Sequence, residues 1–264
     1  MPAMASTPRR WDRASTALVA PDGRRQPEVA QLGAGLPGLA TLFAFARDAE
    51  LRFASLRLRL EERVDIAPGE TVRLHEVLLR HPGRARVTTS RPDLPIATNH
   101  ETWVSDGETV RIYRAGHRLA TERPVRRRLV GIDAPDLPGT SRPYRALTPL
   151  PANSLADAFV HPGGYLQNVL GTGRSVVGGP GTVAGREVVL VTTLHPRTIE
   201  VAGDRPDHRL EIAIDRETGV LALLVESFGS RVVRRVTATA LAPDAPIPDS
   251  AFAAAVPPDA STIF

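Results

Sequence analysis

Histidines are the first residues to test for chemistry, and the chain has seven. His75-Glu76 followed by His81 offers the residue types of a zinc protease site. That site needs its two histidines one helical turn apart, with the glutamate between them as base. Here the histidines are six positions apart, in a stretch that reads as strand and turn. His75, His100, His117, His161, His195 and His208 share no metal-ligand spacing, so no metal is expected. Gly173-Arg174-Ser175-Val176-Val177 lacks the last glycine of a nucleophile elbow. Gly171-Thr172-Gly173 opens no dinucleotide loop, because position 176 is Val176. Glu61 and Glu62 are adjacent on a strand and point to opposite faces, so they form no acid–base dyad. An enzyme using His81, His100 or His117 as base on a hydrophobic substrate stands behind two non-enzymatic readings. No catalytic residue and no cofactor is expected.

Composition narrows the field further. There is no cysteine, and all 33 basic residues are arginine. This excludes cysteine nucleophiles, disulfides, thiolate metal sites, Schiff-base lysines and the lysine of a phosphate-binding loop. Of the net charge of +4, residues 1–30 supply +2, from Arg9, Arg10, Arg13, Arg24 and Arg25 against Asp12, Asp22 and Glu28. The remainder is too weakly basic to indicate a nucleic-acid partner. Arg126-Arg127-Arg128 reads as a solvated strand end, with contact to phosphates or anionic lipid heads as the alternative. No stretch has the ~18 apolar residues of a membrane span, which leaves at most peripheral membrane contact. The one apolar run, Leu36 to Ala46, lies behind about thirty polar residues and is interrupted by Pro37-Gly38. No signal peptide is read, and a cytoplasmic location is favoured.

The elements that must position any site follow from periodicity. Residues 1–30 are rich in Pro, Arg, Ser and Ala and read as a disordered tail, leaving 31–264 as one domain. Leu39, Phe43, Ala46 and Phe53 lie close to helical spacing, which predicts a helix over Pro37–Ala54 with Asp48, Glu50 and Arg52 off its apolar face. Leu56-Arg57-Leu58-Arg59-Leu60 then alternates strictly, as a half-buried strand does. Strand-like runs continue at Thr71–Arg80, Arg84–Thr89, Glu101–Ser105, Thr109–Arg114, His117–Thr121 and Val125–Val130. Pro82-Gly83 and Asp106-Gly107 separate them as turns. Pro135–Pro151 reads as a long loop, and residues 155–170 as helices broken at Pro162-Gly163-Gly164. The glycines from Gly171 to Gly185 read as flexible connections. Strands resume at Val183–Leu194, His208–Ile214, Gly219–Phe228 and Arg231–Leu241, and a short helix over Pro248–Ala255 closes the chain. The order predicts an α+β fold: one curved antiparallel sheet with helices packed on one side.

One element resembles a known family. Val104-Ser105-Asp106-Gly107-Glu108-Thr109 through Tyr113, a strand–turn–strand, resembles the LolA-like superfamily, which includes lipoprotein carriers and the RseB/MucB sensors. Leu79-Arg80-His81-Pro82, Gly185–Leu190, Ile214–Gly219 and Asp249–Phe252 followed by Pro257-Pro258 resemble the family in the same order. The resemblance implies a β half-barrel with helices over its concave side and an apolar cavity. It implies a non-enzymatic protein that binds a lipid, an acyl chain or another hydrophobic ligand. The alternative is an RseB-like module that binds a regulatory or envelope protein, such as an anti-sigma factor. Leu58, Leu60, Leu74, Trp103, Ile112, Leu210 and Ile212 are expected to line the cavity, with Arg59 or Arg80 near its mouth. His81 stands where the carriers have an arginine before the proline.

Overall fold

The computed structural model describes residues 31–66, 69–125, 129–130, 144–170, 174–194, 207–253, 256–257 and 259–263. The tail 1–30, Arg126 to Arg128, His195 and most of the proline-rich loop lie outside them.

The first half is a meander of strands β1 (Ser55–Ile66), β2 (Gly69–Arg80), β3 (Arg84–Ser90), β4 (Glu101–Asp106), β5 (Thr109–Arg114) and β6 (Leu119–Pro124). Two short strands, β7 (Leu129–Val130) and β8 (Tyr144–Arg145), pair separately. The second half is β9 (Arg174–Val183), β10 (Arg186–Leu194), β11 (His208–Asp215), β12 (Leu221–Phe228) and β13 (Arg231–Pro243), with β14 (Ser261–Ile263) at the end. Helices are α1 (Leu39–Arg47), α2 (Ile96–Asn99), α3 (Leu155–Val160) and α4 (Pro162–Leu170).

Among the described residues twelve strands form one open sheet, in the order β14-β6-β5-β4-β3-β2-β1-β13-β12-β11-β10-β9. Every pairing is antiparallel except that of β14 with β6. The sheet is not closed into a barrel, for β9 and β14 have no strand beyond them. Even so, β9 comes back into contact with β13, although three strands lie between them in the sheet order.

Strand alternation sorts the side chains into two faces. Leu56, Leu58 and Leu60 stand opposite Leu79, Val77 and His75 on β2, and that row continues through Val87, Trp103 and Ile112. On the other side it runs through Leu241, Ala238, Val236, Leu224 and Ile212. We call this the core face. It shares one buried cluster with Leu42, Phe43 and Ala46 of α1 and with Phe159 and Leu166 of α3 and α4.

The C-terminal segment covers the outer face. After β13 the chain turns at Asp244, whose carboxylate accepts from the Ala54 amide at 2.6 Å. Ile247 and Phe252 then cover Leu78, and Val256 and Ala260 cover Tyr113, Ala115 and Ala120. Replacing Phe252 by alanine is expected to cost about 2–3 kcal/mol in urea unfolding, since it uncovers one small buried cluster.

Several boundaries differ from the sequence expectation. The helix from Pro37 ends at Arg47 and gives way to a 3-10 turn, Ala49–Arg52. Asp48, Glu50 and Arg52 are buried, because each finds a buried or part-buried partner. His117 lies in a 3-10 turn, and β6 begins only at Leu119. The glycine-rich stretch to Gly185 contains β9, an edge strand in which Gly181 lies flat against Leu190. The closing helix is a single 3-10 turn, Asp249–Phe252, followed by β14.

Candidate functional site

The register brings six of the ten expected site residues to the core face. Leu58, Leu60, Leu210 and Ile212 are at most 1% exposed and sit in the continuous core with the helices. Trp103 and its cross-strand partner Ile112 lie further out, and Ile112 is half-buried. Thr121 continues that row on β6 and is also half-buried. The core face is therefore packed under the helices and still buried at Trp103 and Val110, and becomes half-buried at Ile112 and Thr121.

The other four are placed elsewhere. Leu74 stands opposite Glu61, on the outer face and 39% exposed, because it is one residue out of phase with His75. Arg59 is also on the outer face, paired with Glu76 at 3.1 Å. Arg80 lies under the C-terminal segment, ion-paired with Asp249 and stacked over Phe252. His81 is half-buried at the end of β2, with its Nε2 enclosed, and stacks on Phe53 with ring centroids 5.4 Å apart.

His81 belongs to a buried polar network that joins the helices to the sheet. The Thr148 hydroxyl accepts from the Gly83 amide at 2.8 Å and can donate to His81 Nδ1 at 2.8 Å. Burial keeps His81 neutral and pushes its pKa down to about 4. His161, between α3 and α4, is in the opposite state. Its Nε2 donates to Glu50 at 3.2 Å and its Nδ1 to Asp157 at 3.0 Å. Burial alone would lower its pKa, but the two carboxylates outweigh that and raise it to about 10. The Leu147 amide donates to the same Glu50 oxygen at 3.0 Å. This network fastens the 3-10 turn after α1, the α3–α4 junction and the loop before α3.

The Ser-Asp-Gly element has a structural role in this molecule. Asp106 accepts from the amides of Glu108 and Thr109, which closes its hairpin and lowers its pKa. The buried Ser105 hydroxyl donates to the Gly83 carbonyl at 3.0 Å and accepts from the Gly107 amide at 3.2 Å. It ties two neighbouring turns together.

A polar band on the core face escaped the sequence reading. Thr89, His75, Glu62 and Arg234 are in contact in that order across β3, β2, β1 and β13. Glu226 is Arg234's register neighbour on β12 and pairs with His208 of β11 at 2.9 Å. The signal for it was parity. Glu62 continues the Leu56/Leu58/Leu60 row, and His75 and Arg73 continue the Leu79/Val77 row backwards. Among the described residues no group of His, Asp or Glu is arranged to hold a metal ion. The histidines considered as bases are not gathered. His81 stacks on Phe53 with its Nε2 enclosed, whereas His100 is half-buried and tilts onto Tyr113 of the outer face.

No family model and no curated relative matches the chain by sequence. Solved structures do. MucB from Pseudomonas aeruginosa, solved as a complex with MucA, aligns with a TM-score of 0.48 and 17% identity over 82% of this chain and 60% of MucB. The chain thus spans about three-fifths of the length of MucB. A LolA superfamily protein from Nitrosomonas europaea aligns with a TM-score of 0.33 and 9% identity, over 84% of this chain and 99% of that one. The Mycobacterium tuberculosis lipoprotein LppX gives 0.39 and 11%, over 80% and 99%. The chain is similar in fold to LolA-like proteins. LppX is named a lipoprotein, and a Vibrio parahaemolyticus structure of similar fold is named a putative outer membrane lipoprotein-sorting protein domain, which conflicts with the cytoplasmic location favoured by the sequence; that expectation is withdrawn.

Proposed function

We propose that residues 31–264 form one non-enzymatic domain that binds a lipid, an acyl chain or another apolar ligand on the core face of a half-barrel, with the helices packed over its concave side. One observation carries this reading. The apolar row of the core face runs unbroken from the packed core beneath the helices to Trp103 and the half-buried Ile112. The return of β9 toward β13 supports a strongly curved sheet. In this reading Leu58, Leu60, Leu210 and Ile212 are the closed floor, and Trp103 and Ile112 line the open end. Each ligand methylene buried there contributes about 0.8 kcal/mol, so a shallow groove suffices for useful affinity.

Delipidated protein is expected to bind a fluorescent fatty acid saturably. Ile112→Asp is expected to weaken that binding at least about tenfold while leaving the circular dichroism spectrum intact, since the side chain is only half-buried. Leu60→Asp would place a charge in the closed core and would report on folding instead. Absence of saturable binding by the unaltered protein would sink the proposal.

A second reading, a module that binds a regulatory protein, rests on β9, which has no strand beyond it among the described residues. Val176 is 64% exposed there, and such an edge can accept a partner strand. A protein partner lost in Val176→Pro but kept in Ile112→Asp would favour it.

A further inference from the structure

Leu78, on the outer face of β2, has four arginines around it. Arg57 of β1 and Arg86 of β3 are its register neighbours, and Arg80 and Arg84 stand opposite each other in the next outer-face row. Gathering guanidiniums about one apolar side chain is unfavourable unless anions answer them. Asp249 of the C-terminal segment pairs with Arg80 and Arg84. The acids at neighbouring outer-face positions are engaged elsewhere. Glu76 pairs with Arg59, Asp106 and Glu122 pair with Arg111, and Asp244 accepts from the Ala54 amide. Arg86 reaches the Thr88 hydroxyl and the Ala251 carbonyl, but no carboxylate among the described residues. Arg57 has neither hydrogen bond nor ion pair there, and its Nε is buried without a partner. Two permanent charges of this cluster are thus unanswered.

The segment over the cluster is held as a bound peptide is held. Between Pro246 and Ala260 it makes no backbone–backbone hydrogen bond to the sheet among the described residues. Pro246, Pro248 and Pro257 have no N–H to offer. The grip comes from side chains of the sheet. Arg80 donates to the Ile247 carbonyl at 3.2 Å, and Arg86 to the Ala251 carbonyl at 3.5 Å. Ile247 and Phe252 rest on Leu78, with Arg80 over the Phe252 ring. The Asp249 side chain is 74% exposed, and ion pairs so open to water hold little. Further on, Ser261–Ile263 add to β6 as a parallel strand of three exposed residues.

We infer that this arginine cluster is the docking site for an extended acidic segment of a partner protein, and that the chain's own C-terminal segment occupies it in cis. The partner segment brings an aromatic side chain to the place of Phe252, a carboxylate to that of Asp249 and a further carboxylate to Arg86. Charge decides the exchange. The resident segment answers only Arg80 and Arg84, and each added arginine–carboxylate pair is a charge-assisted bond that it lacks. A segment seated this way leads on to the edge of β6, where strand addition extends the contact. This site is on the opposite face of the sheet from the proposed apolar ligand and stands independently of it.

The test uses a fluorescently labelled peptide that copies residues 244–263, followed by anisotropy at neutral pH and low salt. It is added to the full chain and to its Asp249→Asn/Phe252→Ala variant, in which the resident segment is loosened. The peptide is expected to bind the variant at least about tenfold tighter than the unaltered chain. The same peptide carrying Ser250→Glu is expected to bind the variant about tenfold tighter again. Adding Arg86→Gln to the variant is expected to abolish that second gain, whereas Arg235→Gln, on the outer face of β13, keeps it. If the double variant fails to fold, Asp249→Asn alone loosens the segment and leaves its apolar cover in place. Binding of neither peptide to a folded variant overturns the docking site. Equal binding of the two peptides, or a gain that survives Arg86→Gln, overturns the acidic partner. Equal binding of the copied peptide to the variant and the unaltered chain places the peptide elsewhere and overturns the exchange. Displacement of the peptide by phosphatidylglycerol vesicles assigns the arginines to a membrane surface and overturns the protein partner.

Discussion

Replacing His161 by leucine is expected to destabilise the protein by about 3–5 kcal/mol in urea unfolding, with no change in the slope of the transition. The imidazolium lies between two carboxylates, and its side chain is 1% exposed, as is that of Glu50. Removing it leaves Glu50 and Asp157 facing each other's charge without the cation between them. Among the described residues Glu50 would keep only the Leu147 amide, and its second oxygen is already buried without a hydrogen bond there. A loss below about 1 kcal/mol would show that the network is not held by charge. Removing both charges, in Glu50→Gln/His161→Leu, is expected to recover part of the loss, because neutral groups cost less to bury than an unpaired charge.

The same network sets a pH profile. The folded His161 pKa, about 10, lies above its ordinary 6.5. Its contribution is therefore complete below about pH 6.5 and is lost as the pH rises toward 10. The folded His81 pKa, about 4, lies below 6.5. Its contribution is complete above about pH 6.5 and is lost as the pH falls toward 4. Stability measured across pH 4 to 10 is expected to peak near neutrality and to fall on both sides. In the His161→Leu variant the alkaline fall is expected to flatten while the acid fall remains.

Gly83→Ala is expected to cost more than about 3 kcal/mol, read as a lower midpoint of thermal unfolding. Gly83 has φ +80°, and a Cβ there would stand 2.7 Å from the Gly107 Cα. The obstacle is backbone on a neighbouring hairpin, held in place by Ser105, so it cannot swing aside. Gly107→Ala is expected to cost less, about 1–2 kcal/mol. Its φ of +105° is also unfavourable, but its added Cβ would meet nothing closer than 3.6 Å. Equal losses at the two positions would mean that conformational strain, rather than contact between the turns, sets the cost.

Much of the sheet was legible in the sequence because strand parity is a local signal. Leu58 and Leu60, and Leu210 and Ile212, fell on one face as their alternation required. Leu74 did not, because its face depends on where β2 starts relative to β1, and that register is set by the turn between them. Glu50 was placed off the apolar face of a helix, since nothing nearby shows that His161, far along the chain, will meet it. The β9 strand was hidden by glycines that suit a flat edge against Leu190 as well as they suit a loop. Likewise, the resemblance that suggests Arg80 at the mouth carries no information on its face, and the structure engages Arg59 with Glu76 and Arg80 with Asp249 on the outer face. Parity puts Arg73 and Arg234 on the core face, where both reach Glu62 because β1 lies between β2 and β13.

The strand order has one more consequence. Each half of the sheet is a run of hairpins between neighbours in sequence, β1 to β6 and β9 to β13. The halves are joined along one long seam, where β1 lies antiparallel to β13 and Leu58 meets Leu241, and β14 adds a short second joint on β6. Loop-closure entropy is thus concentrated at these joints, while the hairpins on either side close over short spans. The molecule is in effect two ribbons zipped edge to edge, and the zip can shut only after β13 has been synthesised. The Glu62–Arg234 pair bridges the β1–β13 joint, so an ion pair as well as apolar packing binds one ribbon to the other.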